Sequence, residues 1–375
     1  MTTPEERTIQ ALKNAGATVA AVLPCDKNKN LYQAMFSHFK CVEISREEEG
    51  VGICAGAALA GARPLMLIQN SGLGNMINAM ASLTRHYAFP LPMLMSWRGM
   101  ASEIIEAQRW MGRYVPRIMD AMDIPYHQIN SADEIEHLER TLAGVYANNE
   151  IRGYLFEPAV WQESQFTPPP FPHAARSAYL PPFEGRMPKP KVQRFDFIKA
   201  ARTALVGKAV VSNIGAPSKE LCKIADQLSN FYMLGSMGMA TPIALGMALN
   251  SDKFIVSLDG DGSMLMNPST LATVARTNPA NLIIFLIDNG SYGSTGDQPT
   301  AAGQGADLAQ AARGFGIDWI IRTADPEEAA EAIAGFDGDG PLLVHAIALP
   351  GNAPAENITK TPAQIRKGVS EFLQS

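Results

Sequence analysis

Two short turns hold the densest chemistry in the chain. The first, Asp259-Gly260-Asp261-Gly262, ends an apolar, β-branched run over 254–258. The second, Asp288-Asn289-Gly290, ends another such run over 282–287, with 25 residues between Gly262 and Asp288. The intervening segment opens with Asn267, suited to an N-cap, and Pro268, suited to a first helical position, so the unit reads strand, helix, strand. Each turn then falls at the C-terminal end of a strand, where open parallel sheets bind ligands. Asp261 offers a carboxylate and Asn289 an amide oxygen, and the glycines let backbone groups approach closely. A few protein oxygens, completed by phosphate oxygens, suit a hard cation such as Mg2+. Gly-Asp-Gly alone is ordinary turn chemistry; the paired turns at this spacing carry the inference.

The elements around these turns predict an α/β protein with two parallel sheets. In the first half, strands are expected at 18–24, 41–45, 64–69 and 90–97, with 153–158 closing the sheet. Their C-terminal loops gather on one rim that carries Asp26, Lys27, Lys29, Arg46, Glu47, Asn75 and Arg98. In the second half, strands are expected at 209–213, 231–235, 253–259, 281–288 and 342–348. The segments 213–218 and 235–238, with Asn213, Gly215 and Gly235, are strand ends entering helices, which present N–H groups to anions such as a diphosphate. Either one alone is a common strand-to-helix turn. Between the halves, 166–193 holds eight prolines and little periodicity, as an extended linker would. The domains are thus expected at 1–165 and 194–375, with no repeat shared beyond the α/β rhythm.

Composition narrows the partners. The 375 residues carry a formal net charge of −6, which argues against a nucleic-acid partner. No apolar run is long enough to span a membrane, and MTTPEERTIQ lacks a signal core, so a cytoplasmic protein is expected. Cys25, Cys41, Cys54 and Cys222 have no zinc-ligand spacing.

Gly-Asp-Gly followed at this distance by Asp288-Asn289 resembles the fingerprint of thiamine-diphosphate (ThDP) enzymes, with Asp288 in place of the first residue of the usual Asn-Asn pair. The resemblance implies ThDP and Mg2+, the metal held by Asp261, Asn289 and the carbonyl of Ser291. Glu47 opens a helix of small residues with Val51-Gly52-Ile53 and Gly56, similar to the corresponding helix of the benzoylformate and pyruvate decarboxylases. By that likeness Glu47 bonds the cofactor's pyrimidine ring. Glu48 and Glu49 compete for the role, since acids at a helix start are favoured by its dipole anyway. The same likeness puts Met237 beneath the cofactor, although a methionine more commonly packs a core. It also makes Gly235, Ser236, Gly262 and Ser263 cofactor contacts. The turn 70–75, ending at Asn75, resembles the glycine-rich turn of the pyrimidine domain, and a plain helix entry explains it equally well.

The larger decarboxylases insert a middle domain where this chain has only the linker. The compact phosphonopyruvate and sulfopyruvate decarboxylases are the nearer resemblance, and it covers nearly the whole chain outside the linker. LPCDKNK, REEEGVGICAGA, NSGLGN and SWRG resemble the pyrimidine-domain subunit of the sulfopyruvate enzymes; SNIGAPSKEL, LGSMG, LDGDGSMLMNPSTLATV and DNGSYGSTGDQPT resemble the diphosphate-domain subunit. The implied reaction converts 3-sulfopyruvate to sulfoacetaldehyde and CO2, in coenzyme M biosynthesis or sulfonate metabolism. Decarboxylation of phosphonopyruvate and carboligation of 2-oxo acids are the alternatives. A substrate with two anionic groups gives Lys27, Lys29, Arg46 and Arg98 a purpose, although exposed loop lysines are commonly just solvated. The family further implies a homodimer or larger assembly with active sites at the subunit interface.

Overall fold

Runs of branched apolar residues build two separate parallel sheets in the computed structural model, which describes residues 2–100, 103–170 and 179–375. The chain divides into two units, one for each six-stranded sheet. The first sheet contains β1 (Val19–Val22), β2 (Lys40–Glu43), β3 (Pro64–Gln69), β4 (Leu91–Ser96), β5 (Tyr126–Ile129) and β6 (Ile151–Phe156), in the order β2-β1-β3-β4-β6-β5. The second contains β7 (Ala209–Ser212), β8 (Asn230–Tyr232), β9 (Ile255–Gly260), β10 (Leu282–Asp288), β13 (Trp319–Thr323) and β14 (Leu342–Ile347). A two-residue hairpin, β11 (Ser291–Tyr292) and β12 (Gln298–Pro299), stands apart. The second sheet's order is β13-β14-β10-β9-β7-β8. Numbered from its own first strand and read from the other edge, that is the order of the first sheet. The shared α/β rhythm is therefore a shared topology, without sequence identity to announce it.

In each unit the first and third strands are neighbours whose connections leave in opposite directions. That is the switch point at which such sheets bind ligands. It puts the turns after β1 and β3 together in one unit, and those after β7 and β9 together in the other. All six residues of β4 and all seven of β10 are buried, as strands covered on both faces require. Beneath the first sheet, Ala20, Val22, Leu65, Leu67 and Leu94 pack with Leu12, Leu138 and Leu142 from flanking helices.

Besides the β11–β12 hairpin, one strand in each six-stranded sheet exceeds the sequence expectation, and both are edges. β5 reads YHQI and β13 reads WIIRT, and most of their residues are only partly buried. Edge strands need no continuous apolar run, so their sequences carry a weak signal. The strand expected to close the first sheet, β6, instead lies between β4 and β5. Of the expected linker, residues 171–178 lie outside the described residues, and the remainder of 166–193 has no helix or strand. Among the described residues, no helix is long and apolar enough to cross a membrane.

Candidate active site

β9 ends at Gly260 and delivers Asp261 as the first residue of a short helix, while β10 ends at Asp288 and delivers Asn289 beside it. Asp261 is 2% exposed and Asn289 5%. One end of the Asn289 amide lies 2.9 Å from the Ser291 carbonyl oxygen and 3.2 Å from Asp261 Oδ1. With the nitrogen turned to that side, it donates to both. With the oxygen turned there, three oxygens converge, an arrangement that only a cation holds together. Adjacent ligands of an octahedral Mg2+ at 2.0–2.1 Å stand about 2.9 Å apart, so the spacing fits the metal. No group of three His, Cys, Asp or Glu side chains that could hold a metal is found among the described residues, here or elsewhere. A site with one carboxylate and neutral oxygens suits Mg2+ that keeps phosphate ligands.

One neighbour orients this carboxylate and another raises its proton affinity. The Thr300 hydroxyl donates to Asp261 Oδ2, leaving Oδ1 for the converging oxygens. Thr300 closes the run DNGSYGSTGDQPT, with no expected role of its own; the hairpin loop brings it back from 39 residues away. Burial, and then the nearby Asp288, push the Asp261 carboxyl up to about 6. Asp288 itself turns elsewhere: Oδ1 accepts from Gly290 N at 3.1 Å, and Oδ2 lies 3.0 Å from Nε2 of the fully buried His345. The exchange of Asn for Asp at this position is thereby matched by a histidine partner, and adds no second carboxylate to the converging oxygens.

A cavity of about 360 Å³ opens beside these oxygens, lined by Asn213, Gly215, Met237, Gly262 and Ser263 among others. Asn213 Oδ1 is buried without a hydrogen-bond partner, as expected of an atom that awaits a ligand. Gly262 permits close contact, because a Cβ there would lie 2.3 Å from the Tyr292 ring. Gly235 and Ser236 do not line the cavity. They belong to the turn behind it, where Gly238 N donates to Ser263 Oγ at 3.1 Å. Ser236 holds φ +57°, a costly conformation for a residue with a side chain.

In the first unit, Glu47 starts the helix Glu47–Leu59 and is 8% exposed. Asn75 Nδ2 donates to its Oε2 at 2.8 Å. Gly72 leaves the carboxyl its space, since a Cβ there would lie 2.4 Å from Oε1. The glycine-rich turn and the acidic helix start thus meet through named atoms. Glu48 lies 3.6 Å from Arg46 Nη2 at the surface, and Glu49 is fully buried, accepting from Ser45 N at 3.4 Å. A polar network missed in the sequence ties the rim together. Cys25 Sγ donates to Gln69 Oε1 at 3.3 Å, and Gln69 Nε2 donates to Ser71 Oγ at 2.6 Å and to Gln108 Oε1 at 3.1 Å.

The four expected cations do not form one cluster. Arg98 changes most: its Nε and Nη2 donate to both oxygens of Glu103 at 2.6 and 2.9 Å, and the pair is buried. The Arg98 backbone exchanges two 3.1 Å bonds with the Asn70 side chain. Arg98, expected as an anion contact, thus spends Nε and Nη2 on Glu103. The Arg98 hydrogen bond holds the Glu103 carboxyl down at about 2. Arg98→Ala should lower stability by about 3 kcal/mol near neutral pH, because it strands a buried carboxylate. A melting series checks this. The pair's contribution is complete above the usual glutamate range and lost as pH falls through about 2, so the gap to wild type narrows in acid. Lys27 pairs with Asp26 at 3.3 Å and Lys29 is exposed. Both line a second cavity, of about 830 Å³, that Arg46, Glu47 and Arg98 do not line.

Comparison with known proteins agrees with this geometry. Residues 3–116 match the thiamine pyrophosphate enzyme N-terminal TPP binding domain, and residues 213–346 match the C-terminal TPP binding domain. A sulfopyruvate decarboxylase of Methanosarcina acetivorans is 40% identical, over 99% of this chain and 97% of that protein. A phosphonopyruvate decarboxylase of Streptomyces viridochromogenes is 31% identical, over 97% of this chain and 94% of that protein. The benzoylformate decarboxylase structure from Polynucleobacter necessarius has a TM-score of 0.69 at 12% identity, covering 96% of this chain and 100% of that one. That last likeness speaks for the fold alone.

Proposed function

The chain belongs to the thiamine pyrophosphate-dependent decarboxylases that include the sulfopyruvate and phosphonopyruvate enzymes, and from that premise we propose that it converts 3-sulfopyruvate to sulfoacetaldehyde and CO2. The observation that carries the reading is the 40% identity to a sulfopyruvate decarboxylase across 99% of the chain. Such an activity belongs to coenzyme M biosynthesis or sulfonate metabolism. Phosphonopyruvate is the second reading, supported by a relative at 31% identity over nearly as much of the chain.

When bound, thiamine diphosphate supplies the electron sink that lets a 2-oxo acid release CO2. In our reading Asp261, Asn289 and the Ser291 carbonyl hold Mg2+, and Thr300 fixes the carboxylate that faces it. Asn213, Gly215, Gly262 and Ser263 receive the diphosphate, with the turn of Gly235 and Ser236 behind them, and Met237 supports the cofactor from the cavity wall. Glu47, held by Asn75, exchanges a proton with the pyrimidine ring nitrogen. Lys27, Lys29 and Arg46 orient the substrate's anions, and Arg98 braces the rim. The assembly we propose is a homodimer or larger, with active sites at the subunit interface.

The test offers the protein sulfopyruvate, phosphonopyruvate and pyruvate, with ThDP and Mg2+ present, and measures CO2 and aldehyde. We expect the highest kcat/KM with sulfopyruvate. A preference for phosphonopyruvate would give the second reading precedence. Absence of CO2 from all three would overturn the decarboxylase assignment.

A further inference from the structure

The larger cavity lies within the first unit, where the turns after β1 and β6 meet, and Asn28 and Glu157 line it with the two lysines. Asn28 precedes the helix Lys29–Phe36 in the N-cap position, yet its side chain makes no capping bond. An asparagine there ordinarily turns its oxygen to the helix N–H groups. Here the residue is 3% exposed and neither amide atom has a hydrogen-bond partner. A buried amide left unpaired is costly, and one in a cavity wall is completed by whatever binds there. The helix N-terminus beside it adds backbone donors suited to an anion.

Three carboxylates, those of Glu5, Asp26 and Glu157, and two lysines line this cavity, so a second negative charge on whatever binds there is disfavoured. Asp26 answers Lys27 at 3.3 Å, while among the described residues no such ion pair is found for Lys29. Glu157, half-buried just after β6, brings a carboxylate to the same cavity. A sulfonate carries one charge over three acceptor oxygens and holds no proton. A phosphonate, like a phosphate monoester, carries about 1.5 to 2 charges near neutral pH. The second charge meets Glu157 with little cation to offset it, and repulsion of this kind creates selectivity.

We propose that this cavity is the subsite for the substrate's sulfonate, that Asn28 donates to it, and that Glu157 disfavours the more highly charged phosphonate. The proposal rests on the decarboxylase reading and adds the origin of its substrate choice. Asn28 and Glu157 become specificity-determining residues, and Lys29 the cation that attracts either acid.

The experiment compares kcat/KM for sulfopyruvate and phosphonopyruvate in wild type, Glu157→Gln, Asn28→Ala and Lys29→Gln, with pyruvate as a substrate lacking the second anion. In Glu157→Gln the phosphonopyruvate to sulfopyruvate ratio should rise about tenfold, one like charge having been removed. In Asn28→Ala the KM for sulfopyruvate should rise about tenfold with kcat little changed, while pyruvate is unaffected. Lys29→Gln should weaken both acids together. An unmoved ratio in Glu157→Gln, or an equal loss for pyruvate in Asn28→Ala, overturns the proposal. Should Asn28→Ala fail to fold, Glu157→Gln on the half-buried wall still decides it. A wild type that releases CO2 from none of the three substrates overturns the parent reading instead, so the two failures are distinguishable.

Discussion

Glutamine at position 47 should retain ThDP and Mg2+ binding and lower turnover by about 10²- to 10⁴-fold, the usual loss when a positioned proton-exchanging group is removed. The substitution is nearly isosteric. The glutamine oxygen can still accept from Asn75 Nδ2, now at 2.8 Å from Glu47 Oε2, and the side chain still fills the space that Gly72 leaves. What glutamine cannot do is share a proton with a ring nitrogen. The measurements are steady-state turnover and the rise in melting temperature on adding ThDP with Mg2+. The neighbouring acids serve as controls. Glu48 faces Arg46 at 3.6 Å on a partly exposed surface, so Glu48→Gln should leave turnover within a few-fold of wild type. Glu49 is fully buried and accepts from Ser45 N, so Glu49→Gln should act on stability first. If Glu48→Gln loses turnover and Glu47→Gln does not, the register chosen for the helix is wrong by one residue.

The sequence could distinguish these glutamates only by register, and the structure adds a physical distinction. Glu47 meets the glycine-rich turn, through Asn75 and the space left by Gly72. Central strands were legible for a simple reason. A strand covered on both faces must be apolar along nearly its whole length, and β4 and β10 are apolar up to their last residues, Ser96 and Asp288. The edges β5 and β13 escaped because partial exposure frees an edge from that requirement. The two oxygen-rich turns were legible because Asp261 and Asn289 sit next to glycines at two strand ends. Their support was not: Thr300 and His345 reach Asp261 and Asp288 from 39 and 57 residues away. Arg98 shows the same limit in reverse. Its strand-end position made it resemble an anion contact, but Glu103, five residues on, takes two of its three guanidinium nitrogens, Nε and Nη2. Local sequence shows which groups reach a rim, whereas their pairing is set by folding.

Asp261→Asn should separate the cost of this site to the fold from its benefit to the cofactor. In the protein without metal, burial holds the Asp261 carboxyl up at about 6, above its ordinary 3.8. A raised carboxyl means that the folded state binds the proton more tightly than the unfolded chain. Keeping the group ionised therefore destabilises the metal-free fold above about pH 6, and the penalty is relieved as pH falls from 6 toward 4. For a shift of this size it is on the order of 3 kcal/mol. Asparagine carries no charge to bury and can still accept from Thr300, so metal-free Asp261→Asn should melt no lower than wild type at pH 7.5, and higher if relaxation is small. Mg2+ reverses the balance, because its charge offsets the ionised carboxylate. Wild type should therefore gain melting temperature with ThDP and Mg2+. That gain should weaken below pH 6, where a proton competes with the metal about tenfold more strongly for each unit. Asp261→Asn should lose most of the Mg2+-dependent gain and more than about 100-fold of its turnover, since losing a group that touches the metal costs more than losing one that only supports such a group. Calorimetric melting with and without Mg2+ at pH 5.5 and 7.5 reads both effects. A metal-free variant that melts well below wild type while keeping its Mg2+-dependent gain would mean that Asp261 is a structural cap and that the cation binds elsewhere.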